Sequence, residues 1–188
     1  MNFKHPLILA SSSPRRQYLM KEAGFQFTIE KPEVDESFPD TLPVEQVARY
    51  LALKKAEYFR KDIIHQLVVT ADTVVILESQ ILNKPESRAE AIAMLEKLSG
   101  KTHRVMTGVC ILSAEKEESF DDTTEVTFKK LSQEEIEYYI DNYKPYDKAG
   151  AYGAQDFIGM IAIEKIVGSY FNVMGLPIHK VYTHLINW

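Results

Sequence analysis

The chain of 188 residues is predicted to fold as an α/β protein, a mixed and twisted sheet with helices on both of its faces. Three observations predict it. Runs rich in β-branched residues alternate with segments whose apolar residues recur at helical spacing. Helix-start signals open the helical segments: Ser13-Pro14, Ser87-Arg88-Ala89-Glu90 and Ser132-Gln133-Glu134-Glu135. A late pair of strands joined by charged residues reads as a hairpin, which adds antiparallel pairing to an otherwise βαβ order.

Taken in order, Leu7-Ile8-Leu9-Ala10 suits a short buried strand, and Ser11-Ser12-Ser13 a tight polar loop. Pro14 stands where a first helical residue belongs, because it lacks an N–H that would go unpaired there, and Ser13 is placed to cap the helix with its hydroxyl. Gly24 is expected at the end of that helix, followed by an alternating strand, Phe25-Gln26-Phe27-Thr28-Ile29. A polar connection from Pro32 to Pro43 leads into a helix from Val44 to about Arg60. Leu67 to Leu77 reads as a central strand, broken at Thr70-Ala71-Asp72-Thr73. A helix from Ser87 ends near Gly100; strands follow at 105–112 and 125–128, with a hairpin tip around 115–118. The helix opened by Ser132 stops before Pro145. Residues 150–159 are expected as a loop, 160–166 as a strand, and 177–186 as a closing helix. With no repeat or linker visible, residues 1–188 are read as a single domain.

Net charge is −5, from 22 basic and 27 acidic residues. That balance leaves no broad electrostatic footprint for duplex nucleic acid. A polyanion would have to be met by a local cluster of cations, which points to a small phosphorylated ligand. Cys110 is the single cysteine, so neither an internal disulfide nor a cysteine-based zinc site is available, and its apolar neighbours predict a buried thiol. No apolar run approaches membrane-spanning length, and the first residues do not read as a signal peptide. A cytoplasmic location, without a membrane partner, is the expectation.

Four groups of residues could carry chemistry. The loop Ser11-Ser12-Ser13, the helix start behind it and the pair Arg15-Arg16 together suit a phosphate chain, because a helix N-terminus presents N–H groups and guanidinium forks match phosphate oxygens. Asp72, set among valines and isoleucine, needs a cation, a metal or a place at the sheet's edge, since an unpaired buried carboxylate costs several kcal/mol; a plain turn at Thr70 is the alternative. Asp35 and Glu36 are adjacent acids in a loop. With Asp72 they could hold Mg²⁺ or Mn²⁺, which favour one or two carboxylates plus substrate phosphate. Lys55, Lys84 and Lys148 are isolated cations, and Gln155 has an amide able to donate and accept at once, as reading a base edge requires. The five histidines show no ligand spacing.

In chain order, Leu9-Ala-Ser-Ser-Ser-Pro-Arg-Arg16, Glu36-Ser-Phe-Pro39, Ala71-Asp-Thr-Val-Val75, Lys84-Pro85, Ser99-Gly100, Thr107-Gly108-Val109, Asp147-Lys-Ala-Gly-Ala-Tyr-Gly153, Gln155 and Asn172-Val-Met-Gly-Leu-Pro177 resemble the Maf family of nucleoside triphosphate pyrophosphatases. The resemblance implies a Maf/ITPase-like fold with two lobes around a cleft, and often a homodimer. It implies metal-dependent hydrolysis of a nucleoside triphosphate to the monophosphate and pyrophosphate. By the same resemblance Asp72 is the proton acceptor and Asp35 a further acidic position. Ser11, Ser12, Ser13, Arg15 and Arg16 bind the triphosphate, with Lys55 and Lys84 as further cationic contacts. Arg15, Thr73 and Gln155 match the positions that mark the branch preferring dTTP and UTP, with Thr73 and Gln155 facing the base. Two alternatives stay open: the same chemistry on purine or 7-methylated nucleotides, and a nucleotide-binding regulator of septum formation. One departure is visible. Asn83 precedes Lys84-Pro85 where the family commonly has glycine, and asparagine is expected to tolerate a left-handed backbone there.

Overall fold

A computed structural model describes residues 5–188. Seven strands form one mixed sheet: β1 (Leu7–Leu9), β2 (Thr28–Ile29), β3 (Leu67–Leu77), β4 (Gln80–Leu82), β5 (Thr102–Leu112), β6 (Glu117–Phe128) and β7 (Ile163–Val167). Their order is β2-β1-β3-β5-β6-β7, with β4 paired to β3 off that path. β1 runs parallel to both β2 and β3, whereas β4 and β7 pair antiparallel. The helices are α1 (Pro14–Glu22), α2 (Val44–Glu57), α3 (Arg88–Leu98), α4 (Gln133–Tyr143), α5 (Phe157–Ala162), α6 (Tyr170–Val173) and α7 (Ile178–Ile186), with a short 3₁₀ turn at Ala149–Ala151. Within the described residues, no helix is long and apolar enough to cross a membrane.

The chain divides into two compact units. The first comprises residues up to Thr73, Thr107–Asp122 and Gly175–Trp188; the second comprises Val74–Met106 and Thr123–Met174. Strands β3, β5 and β6 contribute residues to each. The first unit is cored by Ile8, Ala10, Phe59 and Val68 on one side and by Ala52, Ala56, Cys110 and Leu112 on another. Gly108 is required there: a methyl at its Cα would sit 2.3–2.4 Å from the backbone of Ala48 and Arg49, so only glycine lets α2 lie this close to β5. The second unit buries a larger cluster, in which Leu95, Leu98, Phe128, Ile136, Tyr139 and Ile140 are almost fully enclosed.

Several expectations meet corrections. Ser13 is the N-cap of α1 and Pro14 follows it as expected, yet Ser13 makes no side-chain capping bond. The strand expected from Phe25 shortens to two exposed residues, because Phe25 is instead buried behind the helix end. β3 is unbroken. β6 begins at Glu117, well before the expected 125, and the hairpin turn closes by the Ser113 amide donating to the Lys116 carbonyl. The last three residues of the loop expected at 150–159 and the first three of the strand expected from 160 form α5, and the strand starts only at Ile163. Gly159 lets α5 lie against the turn before it, since a side chain there would lie 2.2 Å from the carbonyl oxygen of Ala154. Both serine signals open helices, but only one of them closes the reciprocal box. Ser132 and Glu135 form the full reciprocal box, while Ser87 accepts from the Glu90 amide and Glu90 turns to the amide of Glu86.

Candidate active site

β1 delivers the chain to the serine loop, and the Ala10 amide still pairs with Val69 beyond the strand's end. Ser11 is buried, and its hydroxyl accepts from the Ser13 amide at 3.2 Å. Its carbonyl takes the side-chain amide of Gln17, which folds the loop over the first turn of α1. Ser12 is exposed; Ser13 and Arg15 are half-buried.

The second component is β3. Nine of its eleven residues are buried, and the two that are not are Asp72 and Thr73. The strand continues through this polar stretch because each polar group finds a partner. Thr70 is fully enclosed and donates to the Ala52 carbonyl at 2.7 Å. Asp72 Oδ1 accepts from Lys55 Nζ at 2.6 Å. Lys55, on the buried face of α2 and only 7 % exposed, also holds Glu36 Oε1 at 2.8 Å. One enclosed ammonium is therefore shared by two carboxylates from distant stretches of chain, an arrangement that offsets the desolvation of Lys55 and Asp72 while Glu36 stays exposed.

The third component is Arg16, half-buried beside β3. Its Nε donates to the Gly175 carbonyl at 2.8 Å, Nη1 to the Ala71 carbonyl at 2.8 Å and to Ser11 Oγ at 3.4 Å, and Nη2 to Thr73 Oγ1 at 3.0 Å. Four of a guanidinium's five N–H donors are thus committed to the protein. Burial lowers the guanidinium pKa from its ordinary value; Asp72 and Glu36 oppose that shift and Arg15 reinforces it, so all three lie within electrostatic reach of Arg16. Thr73 Oγ1 also shares a proton with the fully buried Thr107 hydroxyl at 2.9 Å and lies 3.3 Å from the Gly175 carbonyl oxygen. Gly175 occupies a left-handed backbone at φ +112°, which glycine alone adopts without strain.

The sequence-derived residues are thereby sorted. Ser11, Arg15, Arg16, Glu36, Lys55, Asp72 and Thr73 come together in the first unit. Two of these, Arg16 and Thr73, stand differently from expectation, and Asp35 stays apart from them. Arg16 is a brace for the serine loop and β3, with one N–H left for a ligand. Thr73 turns its hydroxyl into the network of Arg16, Thr107 and Gly175 and not outward to a base. Asp35 does not join Glu36 and Asp72: its carboxylate accepts from the Ser37 hydroxyl and amide and lies 3.8 Å from Lys54, and the Ser37 contacts hold its pKa below the usual carboxylate value. Accordingly, no group of three or more metal-ligating side chains forms among the described residues. Glu36 and Asp72 remain a pair of hard oxygen donors converging on one cation, a set that fits Mg²⁺ or Mn²⁺ when phosphate oxygens complete the shell.

Lys84 and Gln155 belong to the second unit. Lys84 is exposed. Asn83 before it does not adopt a left-handed backbone, so its replacement of glycine brings no strain, and its carbonyl accepts from the Gly150 amide at 3.1 Å. Gln155 is exposed at the corner of a turn closed by the Asp156 amide donating to the Gly153 carbonyl at 3.1 Å. Thr107 and Gly175 were not assigned a role from sequence, although each lies in a segment that carries the family resemblance. Their signal was the unexplained pairing of small or hydroxyl residues with glycine.

The chain is a mixed-sheet α/β protein whose carboxylate–lysine pair and braced arginine gather at the polar step of β3. The Maf-like protein family matches residues 6–188, and the chain belongs to that family. Among its relatives, the dTTP/UTP pyrophosphatase of Phocaeicola vulgatus is 49% identical, covering 97% of this chain and 95% of its own length. That of Flavobacterium psychrophilum is 50% identical, covering 96% and 93%. A solved structure, the Ham1 protein of Staphylococcus aureus, superposes with a TM-score of 0.46 at 15% identity over 65% of this chain and 71% of its own.

Proposed function

We propose that this chain is a nucleoside triphosphate pyrophosphatase that cleaves dTTP and UTP between the α- and β-phosphates, releasing the monophosphate and pyrophosphate. The observation that carries the reading is the sharing of buried Lys55 by Asp72 and Glu36, at the one polar step of an otherwise enclosed strand. The names of the relatives support the reaction and the substrate class.

In the proposed reaction, water oxygen bonds to phosphorus, the bridging oxygen departs with pyrophosphate, and the water's proton passes to Asp72. Lys55 fixes Oδ1 of that carboxylate, which leaves Oδ2 to face the water. Arg16 holds the Ala71 carbonyl and so fixes the backbone that carries Asp72. Arg15, Lys84, the serine loop and the N-terminus of α1 meet the phosphate charge. Positioning and electrostatics dominate such chemistry, because the phosphoryl group needs little covalent help. Glu36 and Asp72 would hold Mg²⁺ or Mn²⁺; when bound, the metal supplies charge neutralisation at the phosphates. Gln155 reads the base: its amide N–H donates to a pyrimidine carbonyl and its oxygen accepts from the ring N–H, a pattern that cytosine reverses.

A panel of dTTP, UTP, CTP, ATP, GTP and 7-methyl-GTP, assayed for pyrophosphate release with Mg²⁺ and with Mn²⁺, tests the reading. Preferred turnover of dTTP and UTP is expected. Preference for a purine or methylated substrate would replace the pyrimidine reading, and binding without turnover would make the chain a nucleotide-sensing regulator.

A further inference from the structure

Gln155 protrudes from the second unit on a turn whose two flanks end on a single buried group. The preceding residues, Ala151 to Ala154, are enclosed, whereas Gln155 is exposed. Gly153 and Asp156 form the first and fourth positions of the turn, closed by the amide-to-carbonyl bond between them. The Tyr139 hydroxyl, on the fully buried face of α4, accepts from the Gly153 amide at 3.2 Å and donates to Asp156 Oδ2 at 2.9 Å. It therefore bridges the start and the end of the turn with its one donor and one of its acceptor positions. Asp156 is the N-cap of α5 yet makes no side-chain capping bond there, because its carboxylate is turned toward Tyr139. Lys148 Nζ lies 3.6 Å from the same Oδ2 and offsets the enclosed charge. The packing leaves no slack: a methyl at Gly153 would stand 2.5 Å from Asp156 Oδ2.

We infer that Tyr139 is a specificity-positioning residue, whose hydroxyl clamps the Gly153–Asp156 turn so that the Gln155 amide is presented in one orientation to the substrate's base. The inference rests on the proposed role of Gln155 in reading a pyrimidine. A polar side chain that selects between bases by the direction of two hydrogen bonds needs a fixed backbone, since a turn free to rock would let the amide meet either pattern. The aromatic ring of Tyr139 fills the core, and its hydroxyl alone does the clamping. Tyr139→Phe removes the clamp and keeps the packing.

Three measurements on the full chain decide it. The UTP-over-CTP ratio of kcat/KM falls roughly fivefold to tenfold in Tyr139→Phe, the range expected for loss of one buried hydrogen bond, and Asp156→Ala reproduces the loss. In a Gln155→Ala background, Tyr139→Phe lowers the ratio no further, because the two residues act through one contact. Amide exchange at Gly153 quickens in Tyr139→Phe at pH 7, with or without nucleotide. An unchanged ratio in both single variants, or losses that add in the double variant, overturns the inference. Should the wild-type chain show no preference between UTP and CTP, the reading of Gln155 falls, and Gly153 exchange judges the clamp by itself: protection equal to wild type in Tyr139→Phe overturns it.

Discussion

Replacing Asp72 by asparagine separates the chemistry of the site from its architecture. The amide has the carboxylate's shape, and its Oδ1 can still accept from Lys55 Nζ, now 2.6 Å away. What disappears is one negative charge and the ability to take a proton. The fold should lose only about 1 kcal/mol, the difference between a charge-assisted and an ordinary hydrogen bond. Turnover should fall by roughly 10²–10³, about 2.7–4 kcal/mol of transition-state stabilisation, as when a single well-placed catalytic contact is removed. The assay pairs steady-state pyrophosphate release from UTP with denaturant unfolding of the same preparation. A folded Asp72→Asn protein turning over within threefold of wild type would refute the reasoning that places this carboxylate at the reacting phosphate.

Other consequences concern stability and reactivity. Lys55→Met leaves Asp72 and Glu36 facing each other without their shared cation, and should cost about 2 kcal/mol after discounting for the exposure of Glu36; equal denaturation midpoints for the two proteins would contradict it. Gly108→Ala forces a methyl into the backbone of α2, where nothing flexible can yield, and should cost about 3 kcal/mol or prevent folding. His103 is buried against Tyr152, which pulls its pKa down to about 4. The unfolded chain takes up that proton near 6.5 and the folded chain only near 4, so stability should fall by about 3 kcal/mol as pH drops through that window. His103→Gln should flatten this part of the pH profile, and an unchanged slope would assign it to other groups. Burial raises the Cys110 thiol to about 12, so a thiol reagent at pH 8 should label the native protein only as fast as it unfolds.

The sequence made the helices easiest to see, because their boundaries are written in local chemistry. Ser132 and Glu135 satisfy each other's backbone amides, and no distant residue is needed to read them. Strand boundaries depended on partners far along the chain. β6 extends back to Glu117 through an almost continuous polar run that resembles a loop until its neighbours are known. β3 was expected to break at Thr70-Ala71-Asp72-Thr73, and does not, because Arg16 on α1 and Ala52 and Lys55 on α2 satisfy its polar groups from two other segments. The site showed the same division. Asp72, Lys55 and Glu36 could be picked out by residue type, and they meet. Which acid of the Asp35–Glu36 pair would turn toward Asp72 was not legible, since it is settled by Ser37 and Lys54 holding Asp35 aside. The braced geometry of Arg16 was equally hidden, because two of its partners are backbone carbonyls.

The most direct measurement is phosphorus NMR of UTP incubated with the purified chain and Mg²⁺ or Mn²⁺. UMP and pyrophosphate are expected as the first and stoichiometric products, with both accumulating roughly 10²–10³ times more slowly in Asp72→Asn. UDP with inorganic phosphate, or UTP persisting unchanged with either metal, would contradict that expectation.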